Sequence, residues 1–283
     1  LSSFLRHLRP VAPALPPPVG GDDLSGKQTR RDPAPIAEPS RYGLLAAPTS
    51  FVGREEDLRV LDEAFGRSER LITRSGPPGM GKSRLATEFA FRLLEREGRL
   101  NAWLCDLAEA EDADDVCAAF GRALEGPMTT GKTHDDTVAQ LGHVLAGYGP
   151  SLVVFDNFEQ VTAHAAATVA RWRVMAPHAA FLVTSRERLN LPGEFVRELP
   201  ALSVPNEEIA VGRSEAVRLF VERTASVRGG WALSPDEEPF VASIATELDG
   251  IPLAIELAAA RMSLLTPAQL LARLSSRLAL LGS

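Results

Sequence analysis

The sequence predicts an α/β fold in which a parallel sheet carries helices on both faces and a small all-helical unit follows. Two observations lead to this prediction. From residue 49 to about residue 204, short apolar segments alternate with segments of helical periodicity, which is the pattern of a parallel sheet covered on both sides. Beyond Pro205 the strand-like segments stop and helical periodicity continues to the end of the sequence.

Length and composition fit this architecture. The chain has 283 residues, of which 45% are hydrophobic and 24% are charged, as in a globular protein of one large or two modest domains. Its net charge of −7 argues against a dedicated nucleic-acid-binding protein, which is usually basic. Two cysteines are typical of a reducing compartment, and there is no apolar run long enough to span a membrane. We therefore expect a cytoplasmic protein that makes no membrane contact and no direct nucleic-acid contact through this segment.

Residues 1–48 differ in composition from the rest of the chain. They are rich in proline, with the runs Pro16-Pro17-Pro18 and Pro33-Ala34-Pro35, which favour extended or polyproline II structure. We expect a disordered linker here, and a proline-rich docking segment is the alternative. The expected organisation is a linker at 1–48, an α/β unit at 49–204 and a helical unit at 205–283.

The strands of the α/β unit are short and apolar. The clearest is Leu152–Phe155, in which all four residues are apolar and an acid, Asp156, follows at once. Such fully apolar runs are typical of strands buried on both faces. The predicted strands are Arg70–Ser75, Leu100–Leu107, Leu152–Phe155, Ala180–Thr184 and Phe195–Leu199.

The helices are predicted from apolar residues that recur every three to four positions. In Ser83–Glu97, the pairs Leu85/Ala86, Phe89/Ala90 and Leu93/Leu94 form one wide apolar stripe. The other helices predicted in the α/β unit are Asp112–Leu124, Asp135–Tyr148 and Val161–Met175. Those predicted in the helical unit are Ser214–Val227, Pro235–Leu248, Leu253–Leu265 and Pro267–Leu280.

Residues Gly76–Ser83, which follow the predicted strand Arg70–Ser75, match the phosphate-binding pattern G-x-x-x-x-G-K-[ST]. Its glycines let backbone N–H groups wrap a phosphate closely, and the positive end of the following helix faces the same anion. Lys82 is expected to reach the β- and γ-phosphates, and the Ser83 hydroxyl is expected to bind Mg²⁺. The loop residues are Gly76, Pro77, Pro78, Gly79, Met80, Gly81, Lys82 and Ser83.

A second segment, Gly126–Thr133, fits the same pattern. The residues before it, Val116–Leu124, have helical periodicity, whereas a phosphate loop needs a strand that places it at the carboxyl edge of the sheet. Thr133 and Asp135 are typical N-cap residues for the helix that follows. We therefore expect a surface loop at Gly126–Thr133.

Three polar residues that follow the later strands are candidates for catalysis. Asp156 ends a central strand, where it is expected to hold Mg²⁺, although an aspartate there can also cap a helix. Asn157 follows it and is a poor general base, so Glu159 is the acid available to polarise the attacking water, unless it caps the next helix. Arg186 follows the next strand and is expected to bind the γ-phosphate.

These motifs together resemble those of the NB-ARC-like, or STAND, class of P-loop signal-transduction ATPases, also called AP-ATPases. The resemblance is to the bacterial modules found in large transcriptional regulators and beside Ser/Thr kinase domains, and it spans about residues 49–280. The motifs are Phe51–Glu55, Gly76–Ser83, Leu152–Glu159, Thr184–Arg186 and Asp249–Ala258, the last with Ile251 where the family usually has leucine.

The resemblance implies a P-loop NTPase fold and roles for further residues. Val52, Gly53 and Arg54 would lie near the adenine and sugar of bound ATP or ADP, and Pro252 would contact the nucleotide from the helical unit. Arg84, directly after the loop, completes the expected nucleotide-binding residues. Family members normally continue into a winged-helix subdomain, which would begin where this sequence stops, so we expect a fragment of a longer protein.

The implied function is an ATP/ADP-binding switch with slow ATP hydrolysis. It would regulate an effector domain or transcription through conformational change and self-association. One alternative is a phosphotransferase of the P-loop class acting on a small acceptor, for which no lid-like insertion between the strands is found. The other is an AAA-like nucleic-acid motor or loader, which the acidic net charge disfavours.

Overall fold

A computed structural model describes residues 41–44, 49–98, 100–125 and 133–281. The prediction of a disordered linker concerns mainly residues 1–40 and 45–48, which lie outside the described residues. The same is true of residues 126–132, which carry the second match to the phosphate-loop pattern.

A parallel sheet forms the centre of the α/β unit, as predicted. In chain order its strands are β1 (Arg41–Tyr42), β2 (Leu71–Ser75), β3 (Asn101–Asp106), β4 (Ser151–Asp156), β5 (Ala179–Thr184) and β6 (Phe195–Glu198). Across the sheet the order is β1-β3-β4-β5-β2-β6, and every neighbouring pair is parallel. The strand β1 was not predicted and lies inside the proline-rich segment. The carboxyl ends of β2, β4 and β5 therefore meet at the same edge of the sheet.

Among the described residues, five α-helices accompany these strands. They are α1 (Glu55–Gly66), α2 (Lys82–Glu97), α3 (Ala113–Ala123), α4 (His134–Tyr148) and α5 (Val169–Met175). Helix α1 was missed, although Leu58, Leu61 and Phe65 are spaced for one buried face. The single helix predicted for Val161–Met175 was wrong in its first half, because the chain forms two 3₁₀ turns, Phe158–Gln160 and Thr162–His164, before α5 begins. These tighter turns let the buried residues Phe158 and Val161, three apart, face the same core.

Helices cover both faces of the sheet, and strand β4 shows how the alternation works. Val153 and Phe155 point into a core that contains Phe120 and Trp172 from the side of α3 and α5. Leu152 and Val154 point into the opposite core, which contains Phe89 of α2. Because β4 is buried on both faces, it reads as a continuous apolar run.

The helical unit contains α6 (Glu215–Val227), α7 (Glu238–Glu247), α8 (Pro252–Ala260) and α9 (Pro267–Leu281). The helix predicted for Leu253–Leu265 ends earlier than expected, because α8 passes into a 3₁₀ turn at Arg261–Ser263. Phe220, Ile244 and Ile255 form the centre of a separate core, which Val52 joins from the α/β unit. Within the described part of the chain, no helix has both the length and the apolarity needed to cross a membrane.

Candidate nucleotide-binding site

The loop between β2 and α2 adopts a backbone conformation that only glycine takes readily. The φ angles are 141° at Gly76, 79° at Gly79 and 84° at Gly81, where Gly81 is the N-cap of α2. Side chains are strained in this region of φ/ψ space. A Cβ atom on Gly79 would also lie 3.1 Å from the Cβ of Leu253. The glycines of the pattern are therefore needed for the shape of this loop.

Lys82 places its ammonium group at the centre of the loop. Its Nζ donates hydrogen bonds to the carbonyl oxygens of Gly76 at 2.7 Å and Pro77 at 2.9 Å. Burial lowers the pKa of Lys82, while the carboxylates of Glu159 and Asp156 act in the opposite direction. The loop lysine and both candidate acids therefore share one electrostatic environment.

Asp156 lies at the end of β4 against the start of α2. The Thr184 hydroxyl donates to its Oδ1, and Ser83 also hydrogen-bonds to this carboxylate. Burial raises the pKa of Asp156, the nearby carboxylate of Asp106 adds to the rise, and the hydrogen bonds from Thr184 and Ser83 oppose it. The hydroxyl of Ser83 and the carboxylate of Asp156 supply hard oxygen ligands, which is the donor chemistry that Mg²⁺ prefers.

Asn157 has a left-handed backbone, with φ at 60°, and this turn directs the chain away from β4. Its N–H donates to Thr184 Oγ1 at 3.1 Å, and its side-chain amide donates to Asp106 Oδ1 at 2.9 Å. Asp106 and Asp156 are register partners on β3 and β4. The ends of three neighbouring strands are thus joined by hydrogen bonds through one amide residue.

Glu159 and Arg186 form an ion pair beside the loop. Arg186 Nε lies 3.2 Å from Glu159 Oε1. The other carboxylate oxygen, Oε2, is buried and has no hydrogen-bond partner among the described residues. Glu159 lies inside the 3₁₀ turn Phe158–Gln160, and its side chain binds Arg186 instead of a helix end. Glu159 therefore keeps one carboxylate oxygen that Arg186 does not bind.

The segment Val52-Gly53-Arg54 runs along the opposite side of the loop. Gly53 and Arg54 both have positive φ angles, 72° and 67°. The Arg54 guanidinium donates to the carbonyl oxygens of Met80 at 3.0 Å and Pro200 at 2.6 Å. Its buried side chain therefore ties the loop to the chain that follows β6. The Arg54 N–H donates to Glu215 Oε1 at 2.6 Å, which joins this segment to the first helix of the helical unit.

Helix α8 of the helical unit contacts the phosphate loop directly. The N–H of Leu253, in its first turn, donates to the carbonyl oxygen of Gly79 at 3.1 Å. Pro252, the first residue of α8, lies so close that a Cβ on Gly81 would be 3.9 Å from its Cγ. The proline-containing motif of the helical unit thus lies against the loop, which sequence spacing alone did not establish.

A cavity of about 470 Å³ opens between the loop and the helical unit. Five predicted site residues do not line this cavity: Gly53, Gly76, Pro77, Asp156 and Arg186. A second cavity, of about 330 Å³, is lined by three of them, Gly76, Pro77 and Arg186, together with Ser75 and Glu198. The predicted residues that line the larger cavity are Val52, Arg54, Pro78, Gly79, Met80, Gly81, Lys82, Ser83, Arg84, Glu159 and Pro252.

The larger cavity also contains residues that were not predicted to bind the nucleotide. Leu202 and Leu219 supply apolar surface from the connection to the helical unit and from α6. Arg223 lies one turn beyond Leu219 on α6, and Glu256 lies on α8 inside the motif Asp249–Ala258. The spacing of Leu219 and Arg223, four residues apart, indicated that they share one face of α6. Nothing in the sequence indicated that this face meets Ser50, whose carbonyl oxygen accepts a hydrogen bond from Arg223.

The strand order and the loop define a P-loop NTPase domain. Residues 66–188 match the family model described as AAA domain. This match includes the phosphate loop, Asp156, Glu159 and Arg186. Residues 66–188 are therefore similar to AAA domains, and the strand order and the loop give the chain a P-loop NTPase fold that the helical unit follows.

Known proteins similar to this chain include two from Mycobacterium tuberculosis. An uncharacterized protein is 36% identical over 234 residues, which is 83% of this chain and 56% of that protein. A second protein, named as an HTH-type transcriptional regulator, is 34% identical over 203 residues, 71% of this chain and 21% of that protein. The chain thus spans just over half of the first relative and about a fifth of the second.

Among solved structures, the ORC2 protein of Aeropyrum pernix, determined in ADPNP and ADP complexes, has a similar fold. Its TM-score is 0.56 at 17% identity, over 81% of this chain and 68% of that one. At this identity the likeness concerns the fold.

Proposed function

We propose that this chain is an ATP- and ADP-binding switch of the STAND, NB-ARC-like class that hydrolyses ATP slowly. The observation that carries the proposal is the hydrogen bond from Leu253 of the helical unit to Gly79 of the phosphate loop. Because the helical unit contacts the phosphate loop directly, loss of the γ-phosphate changes the position of the helical unit. An enzyme that only turned over substrate would not need this contact.

The residues around the loop have distinct roles in this proposal. Backbone N–H groups of Gly79, Met80 and Gly81 and the ammonium of Lys82 bind the β- and γ-phosphates. Ser83 and Asp156 hold Mg²⁺, which neutralises phosphate charge when it is bound. Glu159 accepts the proton of the attacking water through its free oxygen, and Arg186 binds the γ-phosphate.

The ion pair between Arg186 and Glu159 accounts for a slow reaction. While Arg186 Nε stays 3.2 Å from Glu159 Oε1, the guanidinium occupies one oxygen of the carboxylate that must contact the attacking water. Binding of a γ-phosphate to Arg186 draws the guanidinium away from Glu159 and frees this oxygen for the water. Hydrolysis is then tied to the presence of ATP and limited by a rearrangement of the two side chains.

Three polar contacts transmit the nucleotide state to the helical unit. Besides the bond between Leu253 and Gly79, Glu215 accepts from the Arg54 N–H, and Arg223 donates to the Ser50 carbonyl at 3.0 Å. A difference of a few kcal/mol between ATP and ADP across these contacts is enough to shift a two-state equilibrium.

The output is proposed to be control of transcription or of an effector domain in a longer chain, with self-association as part of the response. Similarity to a protein named as an HTH-type transcriptional regulator supports control of transcription as the output. That relative is about five times as long as the region it shares with this chain, so it has room for an effector domain. Adenine nucleotide and Mg²⁺ are the proposed ligands of this region.

Two measurements on the purified chain test the proposal. The steady-state ATPase rate is expected to lie well below about 10 per second, the median for enzymes. Hydrogen exchange is expected to differ between the ADP and ATP complexes in α8, around Leu253. A turnover typical of metabolic enzymes, with identical exchange in α8, would contradict a switch. Phosphoryl transfer to a small acceptor, or strong stimulation by DNA, would favour one of the two alternatives instead.

A further inference from the structure

Two acidic residues line the larger cavity within the described part of the chain, and they lie in different places. Glu159 is beside Lys82, at the phosphate end, and pairs with Arg186. Glu256 is on α8, one turn beyond Pro252, and its side chain is 44% exposed. Nothing in the phosphate chemistry uses Glu256, because it extends from the helical unit and not from the sheet edge.

Glu256 is held in place by an arginine of the neighbouring helix. Arg223 Nε donates to Glu256 Oε1 at 2.9 Å, and the same guanidinium donates to the Ser50 carbonyl at 3.0 Å. Only 13% of the Arg223 side chain is exposed. A fixed arginine restricts the carboxylate to one orientation, and its charge offsets the repulsion between that carboxylate and a nearby phosphate.

The distance of Glu256 from the phosphate loop is set by α8. Leu253 N–H bonds to Gly79, and Pro252 lies against Gly81, so the first turn of the helix is in contact with the loop. Four residues of α-helix rise by about 6 Å, so Glu256 lies about one helical turn from the end of α8 that contacts the loop. At about that distance from its phosphates, a bound nucleotide has its sugar.

The apolar side of the cavity suits the base instead. Val52, Leu202 and Leu219 are all nearly buried and form a surface on which a flat aromatic ring packs. Glu256 is at the open mouth, where the sugar of a nucleotide with a buried base is expected.

We propose that Glu256, oriented by Arg223, accepts hydrogen bonds from the ribose hydroxyls and makes this chain selective for ribonucleotides over 2′-deoxyribonucleotides. This inference rests on the proposed nucleotide-binding function. A carboxylate accepts from the 2′- and 3′-hydroxyls in the same way as the acidic residue that binds the ribose in dinucleotide-binding folds. Loss of the 2′-hydroxyl removes one hydrogen bond to a charged group, which corresponds to about a tenfold difference in affinity.

The experiment is calorimetric titration of the full 283-residue chain with unlabelled ADP, 2′-deoxy-ADP and GDP in the presence of Mg²⁺. Unlabelled nucleotides are needed because common fluorescent labels are attached to the ribose. The variants are Glu256→Gln and, as a matched control, Glu222→Gln. Glu222 also faces Arg223, at 3.8 Å, but it does not line the cavity.

The wild-type chain is expected to bind ADP about tenfold more tightly than 2′-deoxy-ADP. This ratio is expected to fall to within about twofold in Glu256→Gln and to stay at the wild-type value in Glu222→Gln, with equal unfolding midpoints for all three chains. A ratio of one in the wild type, or an unchanged ratio in Glu256→Gln, would overturn the inference. A change confined to the ratio of ADP to GDP would also overturn it, because Glu256 would then contact the base. These results leave the proposed function intact, whereas failure of the wild type to bind ADP removes both.

Discussion

The N–H of Leu202 donates to the carbonyl oxygen of Gly250 at 2.9 Å, and the two residues are packed so closely that a Cβ on Gly250 would lie 2.1 Å from the Leu202 oxygen. This contact joins the chain leaving β6 to the turn before α8. Gly250 has a φ of 64°, in the region that favours glycine. One backbone contact therefore positions both an apolar wall of the cavity and the helix that meets the phosphate loop.

Gly250→Ala is expected to destabilise the chain by about 2 kcal/mol or more, because strain and a backbone clash act together. It is also expected to weaken ADP binding, since Leu202 lines the cavity. Chemical unfolding and calorimetry measure the two effects. Gly229→Ala is the matched control, because a Cβ there meets nothing within 4 Å. Equal unfolding free energies for the two variants would show that the contact at Gly250 is not tight.

Ionised Asp156 is predicted to lower the free energy of unfolding, although its carboxylate is the proposed ligand of Mg²⁺. Burial raises its pKa, so ionisation of Asp156 costs the folded state free energy as the pH rises through that pKa. This penalty is absent below the ordinary aspartate pKa of about 3.9 and complete above the raised value. Asp156→Asn, which cannot ionise, is therefore expected to gain unfolding free energy relative to the wild type as the pH increases from 4 to 7.

The measurement is urea unfolding of both chains at several pH values without nucleotide or Mg²⁺. In the same variant, Mg²⁺ is expected to lose its effect on ADP affinity, since a carboxylate ligand is removed. If the difference in stability between the variant and the wild type were independent of pH, burial would not control the titration of Asp156.

Glu159→Gln is expected to separate hydrolysis from binding. Removal of a general base typically lowers a rate by about 100-fold or more. ATP affinity is expected to stay close to that of the wild type, because the phosphate contacts of Lys82 and the loop remain. Single-turnover hydrolysis and equilibrium binding test this pair of outcomes. Hydrolysis at the wild-type rate would exclude Glu159 as the base, and Glu187→Gln, on an exposed residue next to Arg186, is the control.

Local patterns predicted most of the fold. Strands β4 and β5 have unbroken apolar runs because helices cover both faces of the sheet. Helix α2 has a continuous apolar stripe because one of its faces packs against that sheet. Helix α1 could have been predicted, because its acidic first turn and its buried residues Leu58, Leu61 and Phe65 are both typical of a helix. Strand β1 has two residues and no period that sequence could reveal.

In the candidate site, too, local motifs could be predicted and contacts between distant residues could not. The loop and the strand-end acids are local motifs, so their residue types and spacing identify them. Arg223 and Ser50 are 173 positions apart, and Arg54 and Glu215 are 161 apart. Contacts over such distances depend on how the helical unit packs against the sheet, which periodicity does not encode. The partner of Glu159 was also beyond the sequence, which left open whether Glu159 polarises the attacking water or caps a helix and did not indicate an ion pair with Arg186.

The most direct test of this account is the affinity for ADP of Lys82→Ala beside that of Lys132→Ala. Both lysines belong to a match to the phosphate-loop pattern, but the match with Lys82 follows strand β2, whereas the match with Lys132 follows helix α3. Calorimetry is expected to show a loss of at least about 100-fold in ADP affinity for Lys82→Ala, from the loss of a charge-assisted contact to phosphate, and no change for Lys132→Ala. Wild-type affinity in Lys82→Ala would contradict the central claim that this loop binds the phosphates.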